Sequence, residues 1–319
     1  MLSGEQIGQL MDRIREQFAM AQDAEITMEV NPGTANAEKL RNFYTAGINR
    51  LSIGMQSAQA EELKNLGRIH DFEGFCQVYR EAVEAGFTNI NVDIMSGLPG
   101  QTLASYRDTL EKVLHLEPMP QHISAYSLIV EEGTPFAAMA ERGELPLPEE
   151  ETERAMYEET IEVLSKYGFH RYEISNYARD GYECRHNVGY WIRRDYLGFG
   201  IGAASLIDNV RFQNEKSLGA YLAHPLESRE EEQTLTVQDR MEETMFLGLR
   251  LTRGVSCVDF AEQYGRTVEE VYGEVIARNV ADGLLTVTER KENQKKDRFL
   301  ALTKRGLDLS NYVMAQFLF

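Results

Sequence analysis

The feature that most restricts how this chain can fold is a repeated alternation of short apolar stretches with amphipathic ones that end in glycine. "EITMEV" stops at Asn31-Pro32-Gly33 and gives way to a helical pattern from about Asn36 to Ala46, closed by Gly47. "NRLSIGMQS", "NINVDIM" and "HISAYSLIV" repeat the strand signal, and "EGFCQVYREAVEAG" and "TLASYRDTLEKVLHL" supply helices around them. Parallel strands need a long return path, so β-then-α units with short connections predict a parallel sheet with crossover helices. The strands read as apolar on both faces, as buried parallel strands do. Ahead of them, Ser3 and Gln6 fit a capping box, and Ile7, Leu10, Met11, Ile14 and Phe18 share one helical face. A long acidic helix is expected between Pro148 and Tyr167, then "HRYEISNYA" as a fifth strand and the glycine-rich "YLGFGIGAASLI".

From about Leu235 the texture changes. Helical patterns near 237–249, 255–264 and 267–281 precede "DGLLTVTERK" and "DRFLALTKRG", which read as a β-ribbon, and then a closing helix. This predicts a β/α domain over 1–232 and a small winged-helix-like α+β domain over 233–319. Residues 288–305 hold seven Lys/Arg against three Asp/Glu. The chain as a whole carries a net charge of −18, which argues against a phosphate-backbone binder, and the ribbon reads as a solvated hairpin. No nucleic-acid partner is expected. There is no apolar run of about 18 residues, so no stable membrane insertion is expected. The first residues lack the pattern of a signal peptide. Cys76, Cys184 and Cys257 lie too far apart for a disulfide framework, and a reducing, cytoplasmic location is the simple reading.

Ligand sites of parallel β/α folds lie at the C-terminal ends of the strands. Those ends are polar here: Glu29 and Asn31, Gln56 and Ser57, Asp93, Tyr126 and Ser127, then Glu173 and Asn176. A carboxylate in an apolar strand is costly unless it is paired or solvated by a ligand. Asp93 in "NINVDIMSGLPGQT" therefore has two readings, a salt bridge to a nearby arginine or a ligand contact. Glu, Gln and Asp converging from several strands suit a ligand with hydroxyls and an amine, such as a nucleoside with an amino-acid tail. The Gly97-Leu98-Pro99-Gly100 turn fits a close backbone approach to such a ligand, and fits a plain strand-to-helix connection equally well.

"EVNPG", "INRLSIGMQS", "LGRIH", "NINVDIMSGLPGQT", "HISAYSLIVEEGTPF", "YEISNYA" and "CRHNVGYW" with "DYLGFGIGAAS" occur in this order over nearly the whole chain. Together they resemble the radical S-adenosylmethionine (SAM) proteins of the oxygen-independent coproporphyrinogen III oxidase family. "HNVGYW" is similar to an HNxxYW element of that family's haem-chaperone branch. The resemblance implies a partial radical SAM (β/α) barrel whose strand ends hold SAM. It places Glu29, Gln56, Arg68, Asp93 and Ala125 at SAM, with Ala204 near the adenine. It implies Asp93 and Glu29 as partners of ribose hydroxyls and the methionyl amine, and Arg68 as partner of the methionyl carboxylate. Without the resemblance, Arg68 reads as an exposed helix-end charge. His186 either ligates haem iron or hydrogen-bonds nearby backbone, with Trp191 as packing.

The same resemblance implies a [4Fe-4S] cluster held by CxxxCxxC, and that motif is absent from this sequence. The family's glycine-rich strand end is absent too. The expectation is a chain lacking the first strands of its barrel, with the "EITMEV" strand left as an edge. The leading functional expectation is a haem chaperone that binds haem or a porphyrin and passes it to an unidentified acceptor protein. The alternatives are an oxygen-independent coproporphyrinogen III dehydrogenase, or an inactive remnant that serves as a binding module.

Overall fold

The structure, a computed structural model, describes residues 2–225, 227, 229–292 and 295–318. They fall into two compact units. One runs to Arg171 and includes Ser175–Glu183; the other holds Tyr172–Ile174 and the chain from Cys184 onward.

In the first unit β1 (Thr27–Val30), β2 (Arg50–Gln56), β3 (Ile90–Ser96) and β4 (His122–Ser127) are parallel neighbours in chain order. The helices Ala37–Thr45, Phe72–Ala85 and Leu103–Leu114 make the crossovers. Each begins where a short polar side chain captures a free helix N–H: Asn36 accepts from Lys39, Asp71 from Gly74, and Thr102 from Ser105. The expected Ser3/Gln6 capping box is present at the helix Gly4–Gln17. The acidic helix forms over Glu150–Lys166.

Two expectations are corrected. "HRYEISNYA" is not a fifth parallel strand. Its middle, Tyr172–Ile174, belongs to the second unit, where Glu173 bridges Leu251. What remains is two short antiparallel pieces, β5 (His170–Arg171) and β6 (Asn176–Ala178), so the sheet runs β1-β2-β3-β4-β6-β5. Nor are the strands apolar on both faces. Leu51, Ile53 and Met55 of β2, Ile90, Val92 and Ile94 of β3 and Ile123 of β4 pack with Leu40, Phe43, Phe75, Tyr79 and Leu110 from the helices. The alternate positions are polar: Ser52, Asn91, Asp93, His122 and Ser124. Side chains alternate across a strand, so one face carries the core and the other carries chemistry.

The second unit holds a three-stranded sheet of β7 (Ala204–Ile207), β8 (Val210–Asn214) and β9 (Arg229–Thr234). It also holds the helices Val237–Gly248, Cys257–Tyr264 and Val268–Ala281. The expected ribbon forms from β11 (Leu285–Glu292) and β12 (Lys295–Leu302), with β10 (Val255–Ser256) added to the other side of β12. Met245, Leu249, Phe260, Val313 and Phe317 are its fully buried centre. Gly254 permits the turn into β10: its φ is +80°, and a Cβ there would lie 2.1 Å from the Leu300 carbonyl oxygen.

Candidate cofactor site

Register places the polar face in two rows. Glu29, Ser52, Asn91 and His122 are successive partners across β1 to β4. One step along, Gly54, Asp93, Ser124 and Asn176 align across β2, β3, β4 and β6. In-register neighbours share a face, so these side chains lie together by construction.

Asp93 is the centre of this face. Its carboxylate accepts from Asn91 Nδ2 at 2.7 Å and from Ser52 Oγ at 3.2 Å. Burial pushes its carboxyl pKa above the usual carboxylate range, the hydrogen bonds from Asn91, Ser52 and Ser124 oppose this, and the Glu29 charge adds to the rise. The salt-bridge reading of Asp93 does not hold, because among the described residues its partners are neutral. An anion held this way, half-buried beside a second carboxylate, gains most from a ligand that brings ammonium or hydroxyl protons.

The next layer lies around Gly54. An ideal Cβ there would stand 3.0 Å from both Asn31 Oδ1 and Gln56 Nε2. Asn31 Oδ1 in turn accepts from Arg68 Nη1 at 2.8 Å. Arg68 is half-buried and has no carboxylate partner among the described residues, so its expected role as a bare exposed charge gives way to one of an oriented cation. A ligand carboxylate is its natural complement. Gln56 sits at a β-bulge with φ +69°, a conformation that costs a non-glycine residue about 1 kcal/mol. Ala125, by contrast, turns its methyl toward the core cluster, and its N–H donates to the Ser175 carbonyl.

The Gly97-Leu98-Pro99-Gly100 turn is held from inside. Gln101 Nε2 donates to the Met95 carbonyl and to Glu62, and Glu62 also accepts from Ser57 Oγ and Ser105 Oγ, both at 2.6 Å. Glu62 is 5% exposed, so one buried carboxylate ties together the ends of β2 and β3 and the helix Leu103–Leu114. Its three donors make that burial tolerable. Sequence reading passed over Glu62, Asn91, His122, Ser52 and Ser124. The signal available for the last four was the period-two polar alternation along β2, β3 and β4.

His186 and Ala204 belong to the second unit. His186 is exposed on the short helix Arg185–Trp191, edge-on to Tyr190 at 4.6 Å, and Tyr190 meets Tyr196 in the same way at 4.7 Å. Ala204 is exposed at the start of β7. Trp191 stacks with Arg250, whose guanidinium lies 4.4 Å from the indole centre, in keeping with a packing role. Just beyond it, the buried Glu243 carboxylate pairs with Arg193 and with Arg211, each at 2.7 Å.

Iron–sulfur clusters are held chiefly by cysteine thiolates, and the three cysteines here are poorly suited to that role. Burial raises the Cys76 thiol and pushes Cys257 up to about 11. Cys76 lies in one unit and Cys184 and Cys257 in the other. Among the described residues no group of three or more His, Cys, Asp or Glu is placed to hold a metal ion.

Residues 3–113 match the Radical SAM superfamily and residues 235–309 the HemN C-terminal domain. The fold is that of a solved structure described as "Coproporphyrinogen III oxidase (HemN) from Escherichia coli is a Radical SAM enzyme", with a TM-score of 0.80, 24% identity and coverage of 99% of this chain and 74% of that one. This defines the chain as a radical SAM-type protein with a HemN-type C-terminal domain. Among curated proteins it is 38% identical to the heme chaperone HemW of Bacillus subtilis (strain 168), over 99% of this chain and 82% of that protein. It is 35% identical to the heme chaperone HemW of Lactococcus lactis subsp. lactis (strain IL1403), over 99% and 81%. The chain belongs to the HemW family.

Proposed function

We propose that the polar face of the first unit binds SAM and that the protein acts as a haem chaperone, receiving haem or a related porphyrin and passing it to an acceptor protein in the cytoplasm. The observation that carries the SAM reading is the grouping of Asp93 and Glu29 on the polar face of neighbouring strands, with the Asn31–Arg68 pair next to Gly54 on the same face. In this reading Asp93 and Glu29 take the ribose hydroxyls and the methionyl ammonium. Arg68, aimed by Asn31, takes the methionyl carboxylate. Gln56 serves from its strained bulge, and Ala125 contributes through its backbone. Bound SAM would supply an activated sulfonium. In this reading the residues of this chain bind SAM and orient it.

His186 is the proposed haem ligand, since an exposed imidazole edge-on to Tyr190, which in turn meets Tyr196, offers an iron ligand beside aromatic side chains. Ala204 is proposed as an adenine neighbour. The module boundary is proposed at 232/233, supported by the HemN C-terminal match that begins at residue 235. The test has two arms. In equilibrium dialysis, the unsubstituted chain retains SAM and Asp93→Ala loses at least about tenfold in affinity, the usual scale for a charge-assisted contact. In a haem titration, His186→Ala removes the Soret shift. SAM affinity unaltered by Asp93→Ala would end the first reading, and unaltered haem spectra would end the second.

A further inference from the structure

We infer that Asn91, backed by His122, is a positioning residue that fixes the Asp93 carboxylate in the orientation from which it meets the ligand. The inference rests on the SAM-binding reading above and names residues that reading does not use. Asn91 is 1% exposed and His122 is fully buried, so neither reaches a ligand on this face. Asn91 nevertheless uses its whole side-chain amide. Nδ2 donates to Asp93 Oδ1 and to Ser52 Oγ, both at 2.7 Å, while Oδ1 accepts from His122 Nδ1 at 2.6 Å and from Ser124 Oγ at 3.1 Å. Chemistry settles which way the amide points, because a carboxylate can only accept and so must face the NH2 group. The Asn91 oxygen then faces His122, which makes Nδ1 the protonated ring nitrogen. Burial, with Arg50 adding to it, keeps that imidazole neutral. The chain of contacts runs one way, from a buried ring through a saturated amide to a half-buried anion. A carboxylate held at Oδ1 by Asn91 and at Oδ2 by Ser52 loses the freedom to rotate, which fixes the direction of the lone pairs left for a ligand.

A double-mutant cycle with SAM as the probe tests this. SAM affinity is measured for the unsubstituted chain, Asn91→Ala, Asp93→Ala and the double variant, with a thermal melt of each. Asn91→Ala is expected to weaken SAM by about tenfold, as loss of a hydrogen bond to a charged group does, and to change affinity less than about twofold once Asp93 is Ala and no acceptor remains. Equal losses in both backgrounds, or no loss in either, overturn the inference. If Asn91→Ala does not fold, the His122 pair carries the test. His122→Asn keeps an N–H donor and is expected to bind within about threefold of the unsubstituted chain, while His122→Phe lacks one and is expected to lose about tenfold. Identical affinities for these two overturn the inference. Failure of the unsubstituted chain to bind SAM overturns the underlying reading itself. That result differs from one in which Asp93→Ala weakens binding and Asn91→Ala does not.

Discussion

Replacing Gly54 by alanine separates what holds this sheet together from what equips it to bind. Gly54 is not among the glycines with positive φ, so alanine adopts its backbone without strain. The new methyl would stand 3.0 Å from Asn31 Oδ1 and from Gln56 Nε2, closer than such contacts settle, and both atoms are ends of side chains that can give by a few tenths of an ångström. Alanine also lowers the entropy of the unfolded chain, a gain of about 0.4–1 kcal/mol that offsets the crowding. The expected melting temperature therefore stays within about 4 °C of the parent, the shift that 1 kcal/mol gives a domain of this size. Ligand binding has no such compensation. Moving Asn31 stretches and tilts the 2.8 Å contact that aims Arg68, and losing up to half of a charge-assisted hydrogen bond worth about 1.5–3 kcal/mol weakens affinity by roughly three- to tenfold. Isothermal titration with SAM alongside a thermal melt reads both quantities. Unchanged affinity would refute the placement of the ligand over Gly54, and a fall of more than about 10 °C would show the crowding to be structural.

Asp93→Asn should raise the melting temperature at pH 7. The folded carboxyl pKa lies above its unfolded value, so the charged form costs stability at neutral pH, and the gain should shrink as pH falls through the raised folded value. A variant no more stable at pH 7 than the parent would contradict this. The opposite sign holds for His122, whose folded pKa lies well below 6.5. Its contribution is intact above about pH 6.5 and declines as pH drops further, and His122→Asn should flatten the stability profile between about pH 6.5 and 5. In the second unit, Glu243→Ala strands the Arg193 guanidinium, whose side chain is 4% exposed, and should cost about 3–5 kcal/mol in urea unfolding; a loss below about 1 kcal/mol would show that pair to be dispensable.

The parallel core was legible because its signals are local. Capping residues at Ser3, Asn36, Asp71 and Thr102 mark where helices begin, and Gly47 and Gly86 mark where two of them end. Asp93 stood out as a charge in an apolar run. What surrounds it did not, since Ser52, Asn91, His122 and Ser124 come from three strands, and their partnership exists only once register is set. The reading of strands apolar on both faces failed for the same reason, because Ser, Asn and His among Ile and Val look incidental until alternate positions are sorted by face. The fifth strand misled because "HRYEISNYA" has strand propensity throughout, while the bridge from Glu173 to Leu251 is a contact about 80 residues away that no local pattern encodes. Arg68 was the hardest to place, because its orientation depends on Asn31, a residue on a different strand end.

The two-faced character of β2 also explains why its alignment with β3 is unique. Sliding one strand past the other by a single residue would turn Leu51, Ile53 and Met55, each 0% exposed, toward the side lined by Asp93 and Asn91, and drive Ser52 and Gln56 into hydrocarbon. At about 1.5–3 kcal/mol for each large apolar side chain returned to water, the three together come to about 4.5–9 kcal/mol, comparable with the whole stability of a typical domain. The contrast between oily and wet sides thus acts as a ratchet during assembly, and the groups that must meet around Asp93 arrive opposite one another because every neighbouring alignment is too unstable to persist.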